Sequence, residues 1–187
     1  MTSILEVEQL DTLSSNAANT ITIGGTNTTT IAFGPNVTTT PSSLANTPSF
    51  FAYNSSNQSI TNGVWTKMTF DTEMYDTDSA FASNTFTVPS GKGGKYFVFQ
   101  NIRYGGLNSG AINYCGIYKN GSLASAQFFR CTNTGDAISF GYSGVFNLSE
   151  SDYIESWTYN GDTTSRNIEG SGSNIRVLFG AYKIIGA

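Results

Sequence analysis

Apolar residues in this chain recur at every second position far more often than at helical spacing. From residue 48 onward they fall into short runs bounded by turn-forming pairs, at 49–53, 65–71, 83–88, 95–104, 111–119, 124–130, 137–148, 153–159 and 174–185. A period of two is the mark of strands with one buried face. Between the runs stand Asn62-Gly63, Gly105-Gly106, Asn120-Gly121 and Asn160-Gly161. Asn-Gly supplies the positive φ that two-residue hairpin turns require. Many short antiparallel strands at this spacing predict an all-β sandwich or jelly roll.

The first 47 residues follow a different pattern. Phe33 is their one aromatic residue, and Thr, Asn, Ser and Gly dominate. Ile21 and Ile23 alternate with threonines, Gly24-Gly25 interrupts, and Ile31 and Phe33 resume, which predicts a strand, a turn and a strand. At the start, Ile4, Val7, Leu10 and Leu13 suit one helical face, whereas Leu5, Val7 and Gln9 alternate as in a strand; extended structure is favoured because no helix cap follows. An isolated hairpin has too little apolar surface to stand alone in water, so this arm implies assembly on a larger surface. Proline and polar residues at 35–48 read as a linker. The expected organisation is an arm and linker at 1–47 and a single head at 48–187.

Composition narrows the function. Charged residues are 12% of the chain and aromatics 13%, so Thr, Ser, Asn and Gly must cover the surface, as suits extracellular or virion β proteins. A net charge of −4 offers no basic field for a phosphate backbone, and nucleic acid is not an expected partner. The N-terminal residues lack a basic segment followed by an apolar run, so neither a signal peptide nor membrane insertion is expected, and synthesis and assembly are placed in a cytoplasm. Triplets such as 27–29 and 147–149 match the N-glycosylation pattern but arise by chance in so Asn- and Thr-rich a chain.

No histidine is present, which removes Ser-His-Asp and Cys-His machinery and His-ligated zinc. Catalysis would fall to carboxylates. Asp71, Glu73, Asp76 and Asp78 could bind calcium, but they lack the spacing of an EF-hand, and a solvated acidic loop is the simpler reading. Glu150, Asp152 and Glu155 do not converge on strand periodicity. Gly91-Lys92-Gly93-Gly94 precedes a strand rather than a helix, so it reads as a hairpin turn and not a phosphate loop. Cys115 and Cys131 are too few for a disulfide framework and are expected as small buried hydrophobes. The chain is therefore expected to be no enzyme, with no catalytic, metal or cofactor site.

The order of short motifs from residue 48 resembles the complement C1q and tumour-necrosis-factor jelly roll. Phe51-Ala52-Tyr53 comes first, then Met68-Thr69-Phe70-Asp71, then Asn84-Thr85-Phe86-Thr87-Val88-Pro89 followed by Gly94-Lys95-Tyr96-Phe97-Val98-Phe99. Ile117-Tyr118-Lys119-Asn120-Gly121, Leu148-Ser149-Glu150-Ser151-Asp152-Tyr153-Ile154 and Phe179-Gly180-Ala181-Tyr182-Lys183 complete the series over about three quarters of the chain. Two departures are Ser151, where the family has glycine, and a polar insertion at 105–110. The resemblance implies a compact homotrimer with aromatics on its axis. Tyr96, Phe97, Phe99, Phe179 and Tyr182 are candidates for that axis or for the intramolecular core.

The arm in turn resembles the N-terminal segments of bacteriophage structural proteins. Together the two resemblances imply a trimeric virion protein that decorates the capsid (a cement or head-spike protein), attached to capsid or tail proteins through the arm. The alternative is the tip of a short tail fibre or spike that binds a host receptor or glycan. A secreted ligand is disfavoured by the lack of a collagen-like stalk.

Overall fold

The computed structural model describes residues 45–184, and the expectations for the arm lie outside them. Thirteen strands build two antiparallel sheets, with no helix among the described residues. They are β1 (Ser49–Tyr53), β2 (Gln58–Ile60), β3 (Trp65–Lys67), β4 (Thr72–Asp76), β5 (Phe81–Ala82), β6 (Thr85–Thr87), β7 (Gly94–Leu107), β8 (Ile112–Lys119), β9 (Ser122–Arg130), β10 (Asp136–Leu148), β11 (Tyr153–Tyr159), β12 (Arg166–Ile168) and β13 (Leu178–Lys183). One sheet runs β2-β12-β7-β13-β1-β4, with β10 along the other side of β7; the second runs β5-β6-β11-β8-β9, with β3 also on β11.

The alternation in the sequence maps onto the two faces of each sheet. Tyr96, Val98, Ile102 and Tyr104 of β7 point inward and are fully buried, as are Phe50 and Ala52 of β1 and Phe179 and Ala181 of β13. Cys115, Ile117 and Ile154 close the core from the opposite sheet. Phe50 stacks on Phe81 at 4.5 Å and on Phe86 at 5.0 Å, and meets Phe179 edge-on at 5.0 Å. Burying each such ring contributes about 1.5–3 kcal/mol, so this cluster clamps the sheets together.

Six of the nine runs reappear as strands with ends within a residue or two. The Asn120-Gly121 pair forms the expected tight turn between β8 and β9, with φ of 51° and 78°. Other turn assignments are corrected. Gly105-Gly106 lies inside β7, where three steps on β7 oppose two on β10, and so makes a bulge instead of a turn. Asn160-Gly161 ends β11 without a hairpin, because the chain then crosses to β12 in the other sheet. The Gly91–Gly94 turn likewise joins β6 to β7 across the two sheets, so it is a crossover and not a hairpin. The acidic segment expected as a loop contains β4, which pairs with β1.

Two non-glycine residues take turn conformations that glycine adopts most easily: Ser151 has φ 66° and Asn84 φ 61°, both in the left-handed region. Asn84 tolerates it while its side-chain oxygen accepts the Phe70 N–H at 2.7 Å.

Candidate functional site

The seven-stranded sheet carries apolar residues on its outer face as well as its inner one. Cross-strand register sets Tyr75, Phe51, Gly180 and Phe99 in one row over β4, β1, β13 and β7, and Ser49, Tyr182, Phe97 and Val145 in the next over β1, β13, β7 and β10. Residues directly opposite one another share a face and lie within contact distance. The rings accordingly touch in series, Phe51 with Tyr75 at 6.3 Å and with Phe99 at 6.1 Å, and Phe97 with Phe99 at 6.0 Å and with Tyr182 at 5.5 Å. A Cβ at Gly180 would collide with the Phe99 ring, so the glycine gives that ring its seat.

This face is apolar, and no other described residue covers it. Phe51, Phe97, Phe99 and Tyr182 are half-buried, and Tyr75 and Val145 keep 47% and 57% of their surface. Charge is confined to its margins, at Lys95 and at the Arg103–Glu169 pair at 2.9 Å. At one border the face meets β10, a 13-residue strand whose one ladder among the described residues is with β7, so that its other side is a sheet edge there.

Of the aromatics proposed for axis or core, Tyr96 and Phe179 belong to the core. Phe97, Phe99 and Tyr182 belong to the outer face. Burial pushes the Tyr96 hydroxyl up to about 12, and that group donates to the Lys92 carbonyl at 2.6 Å.

The carboxylates do not gather. Asp71 accepts the N–H and hydroxyl of Ser55 at 2.8 and 2.9 Å. Asp76 accepts the Ala80 and Phe81 N–H groups at 3.0 and 2.8 Å, and Asp78 accepts the Thr77 hydroxyl at 2.7 Å. Glu150 accepts the Gly91 N–H at 2.8 Å, which lowers its pKa. Asp152 is paired with Lys119 at 2.8 Å and hydrogen-bonded by Asn120 and Ser149, which together hold its carboxyl at about 2. Glu155 turns to Lys67 at 2.7 Å and to the Trp157 indole at 3.0 Å. Each of these six acids is thus engaged separately, Glu73 is exposed on β4, and no group of three potential metal ligands converges among the described residues. Cys115 and Cys131 are free and buried; burial raises the Cys115 thiol to about 12, which makes it a poor nucleophile at neutral pH.

Sequence reasoning passed over two features. Asp162 is buried between loops, where it accepts from Asn108 N–H at 2.8 Å and pairs with Arg166 at 2.8 Å. The outer face of the six-stranded sheet carries a second set of rings, from Trp65, Tyr114, Tyr118, Trp157 and Tyr159. The available signal was that β8 and β11 place aromatics at the solvent-facing parity, in Tyr114-x-Gly116-x-Tyr118 and Trp157-x-Tyr159.

No protein-family model and no curated protein sequence matches the chain. Solved structures do match its shape. The globular domain of zebrafish complement 1qA protein superposes with a TM-score of 0.50 at 13% identity, covering 73% of this chain and 97% of that one. Murine APRIL, in a crystal structure at pH 5.0, gives a TM-score of 0.53 at 11% identity, covering 73% and 98%. At such identities the likeness is one of fold. The chain thus carries a β-sandwich head of the C1q/TNF-like jelly-roll fold.

Proposed function

We propose that this chain is a non-enzymatic structural and display module that self-associates as a homotrimer and is carried on a virus particle by its N-terminal arm. The observation that carries the proposal is the uncovered aromatic face of Phe51, Phe97, Phe99, Tyr182 and Tyr75 beside the open edge at β10. A solvent-facing apolar patch of this kind marks an interaction surface. The edge of one copy and the face of the next are different patches, so their contact is heterologous and repeats until a ring closes. The likeness of fold favours three copies, and the arm sequence favours a virion setting. Separate engagement of Asp71, Asp76, Asp78, Glu150, Asp152 and Glu155, with no histidine in the chain, favours a non-catalytic role.

Sedimentation of the full-length protein tests this directly. A species of three times the 20.0 kDa chain mass is expected. Val145→Lys and Tyr75→Lys, both at well-exposed positions, should dissociate it without lowering the melting temperature of the head. Wild-type protein that stays monomeric, or variants that stay trimeric, would remove the basis of the proposal.

A second reading, recognition of a host-surface glycan or receptor by the displayed heads, is favoured by the second aromatic face. In a two-layer sandwich that face points away from whatever covers the first.

A further inference from the structure

Three Asn-Gly pairs interrupt the strand pattern, at 62–63, 120–121 and 160–161, and they share a latent chemistry. The backbone nitrogen of the glycine can attack the asparagine Cγ, because glycine has no Cβ to obstruct closure of a five-membered ring. The N–Cγ bond forms, the Cγ–Nδ2 bond breaks, and ammonia leaves with the proton of the glycine N–H. Water then opens the cyclic imide at one of its two carbonyl carbons. One opening leaves aspartate; the other leaves isoaspartate, in which the backbone runs through the side chain. The net change is hydrolysis of an amide by solvent water, with no oxidation. An intramolecular step of this kind depends on whether nucleophile and carbonyl carbon can reach attack geometry, so the fold discriminates among the three pairs.

Asn160 is locked. Its side chain is fully buried, donates to the Ile60 and Thr164 carbonyls at 3.1 and 2.9 Å, and accepts the Asp162 N–H at 3.0 Å. Its nucleophile is held as well, since the Gly161 N–H donates to Asn113 Oδ1 at 3.2 Å. Asn120 lies at the exposed tip of the β8–β9 hairpin, but its amide is clamped at both ends. Oδ1 accepts the Tyr153 N–H at 2.9 Å, and Nδ2 donates to Asp152 at 2.7 Å. Turning Cγ towards Gly121 breaks both bonds, one of them to a charged carboxylate. Asn62 differs from both. The residues from Thr61 to Val64 are all exposed, and the Asn62 side chain hydrogen-bonds to no other described residue. The position a Cβ would take on Gly63 has no neighbour within 4 Å, so a closing ring meets no obstruction. One bond opposes the reaction, from the Gly63 N–H to the Asn160 carbonyl at 2.7 Å. It belongs to an isolated bridge between Asn62 and Asn160 rather than to a ladder, and a single exposed rung opens locally at little cost.

We propose that Asn62 is a self-modification site of the head, at which Asn62-Gly63 converts to aspartate and isoaspartate while the other two pairs persist. The segment 61–64 carries the chain from β2 in one sheet to β3 in the other. Conversion there adds one negative charge to a chain of net charge −4 and, in the isoaspartate form, one methylene to the backbone. The Asn62–Asn160 bridge is lost with it, whereas the β2 ladder ends before the pair and the β3 ladder begins after it, so both stay. The converted head is therefore folded and marked, and the extent of conversion records its age. The proposal is independent of self-association.

Full-length protein is incubated at body temperature and mildly alkaline pH, where the attacking nitrogen loses its proton more readily. An acidic species is expected to accumulate on ion exchange, and peptide mapping by mass spectrometry should place it at residue 62, as a mixture of aspartate and isoaspartate. Conversion at Asn62 should run about tenfold faster than at Asn120, since freeing Asn120 breaks two bonds against one, and the extra bond is charge-assisted. Asn62→Gln, at an exposed position, should keep the melting temperature and lose the acidic species, because glutamine would have to close a six-membered ring, which is far slower. Asp152→Ala should bring Asn120 up towards the rate of Asn62. The same chain unfolded in urea should convert all three pairs at similar rates, which ties the difference to the fold. Faster conversion at Asn120 or Asn160 in the native protein overturns the proposal, as does an unconverted Asn62 after the unfolded chain has reacted. An Asn120 rate untouched by Asp152→Ala overturns the clamp that sets the ranking. If Asp152→Ala does not fold, the ranking of the three pairs in wild-type protein decides alone.

Discussion

Asp162 illustrates how the few charges of this chain are spent. Its side chain is fully buried, yet it is met by the Asn108 and Thr163 backbone N–H groups, the Asn108 amide and the Arg166 guanidinium. Those donors outweigh burial and hold its carboxyl far below the ordinary carboxylate range. Asp162→Asn keeps the volume and removes the charge, and it should cost about 2–3 kcal/mol in urea unfolding at pH 7, in line with hydrogen bonds to a charged group. A depressed folded-state pKa contributes stability above the unfolded value and loses it as pH falls towards the folded one. The gap between wild type and variant should therefore narrow below about pH 4, near the unfolded carboxylate pKa. It should go on narrowing past the value of about 2 at which Asp152 titrates.

The acids at 71–78 lead to a different expectation. Asp71 and Asp76 are already held by backbone N–H groups, so calcium would have to compete with those bonds. Calcium and magnesium at equal ionic strength should shift the melting temperature equally; a calcium-specific shift abolished by Asp78→Asn would establish a cation site there. The sequence suggested a solvated acidic loop, and the structure shows Asp71 and Asp76 bracing the backbone instead. The sequence could not name the partners, because Ser55, Asn108 and Arg166 become neighbours only through loops that pair distant strands.

Among the elements, those that the sequence made legible are the ones whose signal is local. β1 and β11 coincide with alternating runs, and the β8–β9 hairpin with its Asn-Gly pair. The short β2, β5 and β12 were not legible, since each has two or three residues, too few to show a period, and β2 and β12 are defined by pairing with strands far away in the sequence. β4 was hidden for another reason. Its acidic composition suggests a loop, but only one side of it meets the sheet, through β1, and a bulge opposite Phe51 and Ala52 leaves Met74 and Tyr75 facing solvent. The Asn120-Gly121 turn is braced further, since the Asn120 amide oxygen accepts the Tyr153 N–H at 2.9 Å and its nitrogen donates to Asp152 at 2.7 Å. Gly121→Val forces a β-branched side chain into φ 78° and should destabilise the head by about 1–2 kcal/mol on steric grounds, measured by chemical denaturation. An unchanged midpoint would mean that the hairpin relaxes into another turn type at no cost.

Across the whole molecule, the sandwich turns an excess of aromatic residues into three layers, a buried core and two uncovered ring clusters on opposite outer faces. Alternation reveals which parity of a strand is apolar. Where both parities are aromatic, as in Tyr96-Phe97-Val98-Phe99, it cannot say which goes inside, and the fold decides by register. This is why the axis-or-core alternatives divided residue by residue, and why the Trp65 cluster, which gathers rings from β3, β8 and β11, is not legible in the sequence.

The same architecture bears on the division between arm and head. The described head is tied into its own sheets from Pro48 onward. The Pro48 carbonyl accepts the Lys183 N–H at 3.1 Å, and the Ser49 carbonyl accepts the Thr77 N–H at 3.0 Å, so the first strand is tied at its entrance to both β13 and the segment after β4. Since β1 lies between β13 and β4 and delivers Phe50 to the core, cutting within it would open the sandwich, whereas cutting before residue 45 removes none of these bonds. A protein lacking residues 1–44 should thus unfold cooperatively at a temperature close to that of the full-length head, as followed by circular dichroism at 218 nm, roughly the strand minimum. If the outer aromatic face alone drives association, the truncated protein should also sediment as the same oligomer. A folded but monomeric truncation would instead assign association to the arm, and loss of the cooperative transition would place the domain boundary nearer the N-terminus than residue 45.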